Sequence, residues 1–211
     1  EALGGERRDL TELPTFTIDP ESARDFDDAV SASQIDGGVR LWIHIADVAA
    51  HVRPGGALEA EAYRRANSTY VPGTVEPMLP HVLSSEACSL VPGEDRLAVT
   101  AEIELSEAGE PRSASFYRSR IRSDARLNYG EIDDVFAGRK RAPDPVAEPI
   151  ELARKAAAAL ADRRSEAALQ VSSAEPEFRF EDGDVVAAEA VEQTESHLLI
   201  EQLMVLTNER V

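Results

Sequence analysis

The amino-acid sequence predicts an α+β fold, mixed β-sheets with surrounding helices, and three observations carry that expectation. Short β-type runs come in pairs around glycine turns, Ala- and Leu-rich stretches of helical period stand among them, and the chain has no internal repeat. Residues 1–13 are polar and charged as far as Pro14 and are expected to be a linker from a preceding region, leaving the domain at 14–211. Thr15, Phe16, Thr17 and Ile18 make a short strand that runs into an acidic loop, and 39–45 is a second strand after the Asp36-Gly37-Gly38 turn, so a hairpin is expected there. Residues 57–67 are rich in Ala, Leu and Glu and predict a helix. Pro72, Pro77 and Pro80 then predict an ordered but irregular loop. A second hairpin is expected from 97–105 and 113–121 around Glu107-Ala108-Gly109-Glu110. A strong helix follows over 148–169, two strands flank the Asp182-Gly183 turn, and 192–211 is helical with Leu198, Leu199, Leu203 and Leu206 as its apolar positions.

Composition narrows the class. The 211 residues carry 22 basic and 40 acidic side chains, a net charge of −18, and are 43% hydrophobic, which suits one globular domain or two small ones. Cys88 is the single cysteine, so no internal disulfide is possible. No apolar run is long enough to span a bilayer and no charged-then-apolar leader is present, so the expectation is a cytoplasmic protein with no membrane partner. Affinity for a phosphate backbone comes largely from clustered Lys and Arg, and the acidic balance taken alone favours a metal-binding or acidic-surface protein. Net charge describes the far field, however, and local patches can differ.

The segment with chemical content is 17–30, where Asp19, Asp25, Asp27 and Asp28 stand at relative positions 0, 6, 8 and 9. Carboxylates ~5 Å apart at an effective dielectric of ~20 repel by roughly 3 kcal/mol per pair, so such a loop needs open solvent or a cation. Magnesium is a natural compensator, a hard ion that takes a few carboxylates, keeps several waters and completes its shell with phosphate. A calcium loop of the EF-hand type is excluded, because Val30 stands where glycine is required and Asp36 where a bidentate glutamate belongs. An acidic helix-capping turn and a glycosidase-type carboxylate pair both remain open on residue types alone. His44 alternates with Ile43 and Ile45 and reads as a packed histidine. His51, His81 and His197 show no zinc spacing with one another or with Cys88.

The acidic loop is followed in order by Ile43-His44-Ile45-Ala46-Asp47-Val48, Ser68-Thr69-Tyr70-Val71-Pro72, Pro77-Met78-Leu79-Pro80, Leu83-Ser84, Cys88-Ser89-Leu90, Asp95-Arg96-Leu97-Ala98, Ile121-Arg122-Ser123, Arg126-Leu127-Asn128-Tyr129 and Leu199-Ile200-Glu201-Gln202-Leu203-Met204. This succession resembles the catalytic domain of the ribonuclease II / ribonuclease R family, the RNB-type domain, over nearly the whole chain. The resemblance implies a processive 3′-to-5′ exoribonuclease that releases nucleoside 5′-monophosphates from the 3′ end of single-stranded RNA with Mg²⁺, for which Mn²⁺ can substitute. It implies that Asp19, Asp25 and Asp28 bind metal and that Asp27 is the carboxylate most directly needed for catalysis. Tyr70 matches an aromatic that packs against the 3′-terminal nucleotides, and Tyr129 and Glu201 match residues that contact the RNA end.

Members of the family are longer, with oligonucleotide-binding barrels on both sides of the catalytic domain. They also carry a downstream His-Phe-Thr-Ser-Pro-Ile-Arg-Arg-Tyr type motif, which does not occur in 1–211. The expectation is therefore the N-terminal half of such a domain, with Asn128 in place of the more usual threonine. The alternative from another class is a non-catalytic RNA- or partner-binding module that keeps the fold. Four mutually repelling acids in one loop favour the enzyme.

Overall fold

Two antiparallel hairpins, each closed by a tight turn and paired side by side, form the centre of the molecule. The computed structural model describes residues 6–71, 74–165, 176–181, 184–190 and 193–211. In chain order its elements are β1 (Arg8–Asp9), β2 (Phe16–Asp19), β3 (Asp28–Ile35), β4 (Gly38–Ala46), α1 (Ala57–Arg65), β5 (Thr69–Val71), β6 (Thr74–Glu76), β7 (Asp95–Ser106), β8 (Pro111–Arg122), β9 (Ala125–Asn128), α2 (Tyr129–Phe136), α3 (Ala147–Ser165), β10 (Pro176–Glu181), β11 (Asp184–Ala190) and α4 (Glu195–Arg210). A 3₁₀ turn covers Val48–Ala50 and a π-helical turn covers Val82–Ala87. Seven strands make one mixed sheet in the order β1-β8-β7-β4-β3-β2-β9, with β1 parallel to β8 and β2 parallel to β9. The expected α+β class holds. Among the described residues, no helix is long and apolar enough to cross a membrane.

Alternation along the strands divides the apolar residues between two faces. Val30, Leu41, Ile43, Ala101, Ile103 and Leu105 face the helices and join Ile150, Ala153, Leu160, Leu199, Leu203 and Leu206 in the main core. In α3 the buried positions run 149/150, 152/153, 156/157 and 160, a helical stripe in which alanines permit close approach. Gly109, at the β7–β8 turn, meets this helix. Its φ is +72°, and a Cβ there would lie 2.9 Å from the carbonyl carbon of Ala159, so both conformation and contact require glycine. On the opposite face Phe26, Ala29, Ala46, Cys88, Leu90, Ala98 and Ile121 form a smaller core.

Beside that smaller core a hydrogen-bonded chain of buried polar side chains crosses five strands or strand ends. Thr15 Oγ1 lies 2.7 Å from Ser31 Oγ, Ser31 Oγ 3.1 Å from His44 Nε2, His44 Nδ1 2.8 Å from Thr100 Oγ1, and Thr100 Oγ1 2.6 Å from Ser119 Oγ. His44 is fully buried, and burial pushes its imidazole down to about 3. The unfolded chain takes up that proton near 6.5, so the stability His44 contributes is present above about pH 6.5 and is lost as pH falls toward 3, by up to about 1.4 kcal/mol per unit. His44→Gln, which keeps a donor and an acceptor, should therefore unfold with a weaker acid dependence than the parent in urea titrations between pH 7 and 4. Identical slopes would show that His44 does not titrate on unfolding.

Several local expectations change. The first hairpin joins β3 to β4, pairing Ile35 with Gly38, whereas β2 meets β3 only at Phe16 opposite Val30 and lies parallel to β9. Asp28 thus begins a strand instead of lying within a loop. Residues 8 and 9, expected in a linker, form an edge strand, and Arg7 reaches the buried Asp47 at 2.6 Å. The proline-rich segment contains the β5–β6 hairpin, and α2 was not expected at all. Residues 166–169 of the expected long helix, Pro72 and the Asp182-Gly183 turn lie outside the described residues.

Candidate active site

The site is assembled where β2 ends and β3 begins. Antiparallel pairing of Phe16 with Val30 carries one strand outward to Asp19 and brings the other back from Asp28, with residues 20–27 as the connection. On the other side of β2, parallel pairing sets Asp19 opposite Asn128, which places Tyr129 next in line. Asn128 caps α2: its Oδ1 accepts from Glu131 N at 2.8 Å, while Glu131 Oε2 accepts from Asn128 N at 3.2 Å. The asparagine that departs from the family pattern thus closes a capping box.

Asp19, Asp25, Asp27 and Asp28 all line one cleft of about 1180 Å³. Its facing wall comes from Val75, Pro77, His81, Ser84 and Ser85, contributed by the end of β6 and the π-helical turn. Burial pushes the Asp28 carboxyl up to about 7, and the Asp19 and Asp27 charges push the same way. Burial likewise raises Asp19 to about 6 against the pull of the Arg126 charge, and raises Asp27, to which the Asp25 charge adds. Tyr129 is pushed up to about 12, first by burial and then by the Asp28 and Asp19 charges.

Asp19 Oδ2 and Asp28 Oδ2 are buried with no hydrogen-bond partner, and so is Ser84 Oγ. A buried carboxylate oxygen left unpaired is costly, and a hard cation is the ligand that relieves it. Among the described residues no three His, Cys, Asp or Glu side chains gather into a group able to hold a metal by themselves. The two unpaired carboxylate oxygens fit a magnesium-type site, in which carboxylates bind and water and phosphate supply the remaining oxygens.

Of the three expected RNA contacts, Tyr129 stacks face to face on His197, with ring centroids 3.9 Å apart and planes 13° apart. His197 Nδ1 lies 2.7 Å from Thr194 Oγ1. Glu201 is exposed on α4, one helical turn beyond His197, and neither Tyr129 nor Glu201 lines the cleft. The Tyr70 backbone lies in β5 opposite Val75, a lining residue, while its side chain is outside the described residues. Motif spacing alone did not single out His197, Ser84 or Arg126. Arg126 lies on β9 beside the acidic loop, and its Nη2 donates to the carbonyl oxygens of Pro20 and Glu21.

Comparison with known proteins agrees with this geometry. The family model described as RNB domain matches residues 7–211. Ribonuclease R of Vibrio parahaemolyticus is 40% identical over 208 residues, covering 96% of this chain and 25% of that protein, so the chain spans about a quarter of the relative's length. The structure of Mycoplasma genitalium RNase R in complex with ribose methylated single-stranded RNA superposes with a TM-score of 0.91 at 28% identity, over 99% of this chain and 34% of that one. Yeast Ssd1, a pseudonuclease, shares the fold at a TM-score of 0.75 and 18% identity, covering 97% of this chain and 25% of its own.

Proposed function

The chain belongs to the RNB-domain family, and from that premise we propose that its protein is an exoribonuclease that hydrolyses single-stranded RNA from the 3′ end to nucleoside 5′-monophosphates. The observation that carries this reading is the cleft that gathers four aspartates and leaves an oxygen of Asp19 and of Asp28 buried without a partner. Asp19, Asp25 and Asp28 would hold Mg²⁺, with Mn²⁺ able to substitute. When bound, the cation supplies positive charge to the scissile phosphate and acidity to the attacking water. Asp27 orients that water and takes its proton. The oxygen of water bonds to phosphorus as the P–O3′ bond breaks. The 5′-phosphate leaves on the mononucleotide, and the proton ends on the 3′-hydroxyl of the shortened chain.

Tyr70, Tyr129 and Glu201 contact the RNA end in this reading. Stacking on an aromatic face contributes ~1–3 kcal/mol per base and tolerates any sequence, which suits general degradation. The cleft exceeds the ~300–1,000 Å³ of ordinary small-molecule sites, in keeping with a polymer end as ligand.

The test uses 5′-labelled single-stranded RNA and the full-length protein in Mg²⁺. A ladder that shortens from the 3′ end with release of 5′-monophosphates is expected, and removal of the cation by EDTA should stop it. Digestion of circular RNA at the same rate would show an endonuclease and overturn the polarity. A second reading, a non-catalytic RNA- or partner-binding module, is compatible with the fold shared with a pseudonuclease. RNA binding with no cation-dependent hydrolysis would establish it.

A further inference from the structure

We infer that Arg126 is the positioning residue of the acidic loop, a clamp that fixes the 20–27 connection between Asp19 and Asp28 while ligating nothing itself. The inference rests on the reading of those aspartates as cation ligands. Residues 20–27 must bridge two strand ends that carry repelling carboxylates, and an unrestrained loop would relieve that repulsion by spreading. Its second half is fixed by backbone: Phe26 N donates to Ser89 Oγ at 2.9 Å, Leu90 N to Phe26 O at 2.8 Å, and Ala46 N to Asp27 O at 2.8 Å. Its first half turns through a bond from Ala23 N to Pro20 O at 3.0 Å.

Arg126 ties the two halves together. Its Nη2 donates to Pro20 O at 3.1 Å and to Glu21 O at 2.7 Å, while its guanidinium carbon lies 5.2 Å from the centre of the Phe26 ring. The arginine is anchored on β9, where it pairs with Thr17 of β2, so the clamp reaches from the sheet to the loop. A planar guanidinium can donate in its plane and stack on an aromatic ring at once, which an ammonium cannot. The Arg126 Nε is buried without a hydrogen-bond partner, so the contacts that hold the side chain are those of Nη2 and the Phe26 ring. Its charge pulls on Asp19 without offsetting the effect of burial there.

A counter-charge and a clamp predict opposite signs. If Arg126 served as a counter-charge, it would compete with the cation, and removing it would tighten metal binding. Because it serves as a clamp, removing it should weaken binding, on the order of the 10–100-fold that residues behind metal ligands control. The probe is Mn²⁺ alone, with affinity for the full-length protein read by electron paramagnetic resonance, together with amide hydrogen exchange across residues 20–27 in the metal-free state. Arg126→Gln, which keeps a donor without charge, and Arg126→Lys, which keeps charge without the fork, should both bind Mn²⁺ at least tenfold more weakly. Both should also exchange faster in the loop, with β3 and β4 unchanged. Tighter binding by Arg126→Gln, or parental affinity in both variants, would overturn the clamp. If the parent itself binds no Mn²⁺, the cation reading of the aspartates fails separately. The exchange data then decide, with faster loop exchange in both variants supporting the clamp and parental rates overturning it.

Discussion

In metal-free buffer at pH 8 the Asp28→Asn protein is expected to melt at a higher temperature than its parent, yet in Mg²⁺ to have lost RNA hydrolysis by about 10²–10³-fold or more. Burial, with the Asp19 and Asp27 charges, pushes the Asp28 carboxyl up to about 7 in the folded state, while the unfolded chain keeps an ordinary aspartate near 3.8. A folded-state value above the unfolded one means that the stability this group contributes is complete below about pH 4 and is lost as pH rises through about 7. At pH 8 the fold carries the cost of a half-buried charge, and a neutral amide of the same shape removes it. The gain should be on the order of 2–4 kcal/mol, or about 5–10 °C for a domain of this size. Calorimetry in EDTA should show the difference shrinking as pH falls toward 4, where the parent's own Asp28 is neutral. Saturating Mn²⁺ should reverse the order by stabilising the parent more. Because Asp28 and Asp19 must lose protons near 7 and 6 before they can bind, cation affinity should also fall steeply below pH 7. An Asn variant less stable than the parent in EDTA at pH 8 would show that the buried charge costs the fold nothing.

That trade between stability and chemistry explains why the acids were the most legible feature of the sequence. Four carboxylates within ten residues repel one another, and a local conflict of that kind marks a candidate functional site. What surrounds them was harder to read. Strand β3 was absorbed into the acidic loop because Ser31, Ser33 and Gln34 are weak strand formers. Ser31 is nonetheless fully buried, since its hydroxyl joins the polar chain through His44. Helix α2 has a short-range signal in the sequence, Asn128 followed three residues later by Glu131, but only eight residues of pattern behind it. Pairing of Arg8 with Ser119 and of Asp19 with Asn128 spans more than a hundred residues, and no periodicity encodes it. The same holds for Arg126, whose partners Pro20 and Glu21 lie 106 and 105 residues earlier. Short-range pattern located the chemistry, and long-range pairing built its support.

Asp27 should separate from its neighbours on mutation. Asp19 and Asp28 each hide an oxygen, as ligands for a cation would, whereas Asp27 is exposed in the cleft. Its backbone is held by Ala46 N at 2.8 Å and its neighbour Phe26 by Ser89 and Leu90, so the carboxyl projects from a fixed base. Although the side chain is exposed, partial desolvation by the cleft walls, then the Asp25 charge, raises it above the ordinary carboxylate range, which improves it as a proton acceptor near neutral pH. Asp27→Asn in the full-length protein keeps the shape and removes the base. General-base catalysis contributes about 10²–10⁴-fold, so kcat should fall by that factor. RNA affinity should stay within about threefold, because one carboxylate fewer in an acidic cleft does not weaken attraction for phosphate. Single-turnover cleavage of a labelled single-stranded RNA gives the rate, and filter binding in EDTA gives the affinity. A kcat equal to the parent's would transfer the proton-accepting role to another acid of the cleft. A tenfold loss of RNA binding in step with the rate would mean that Asp27 holds substrate instead of driving its hydrolysis.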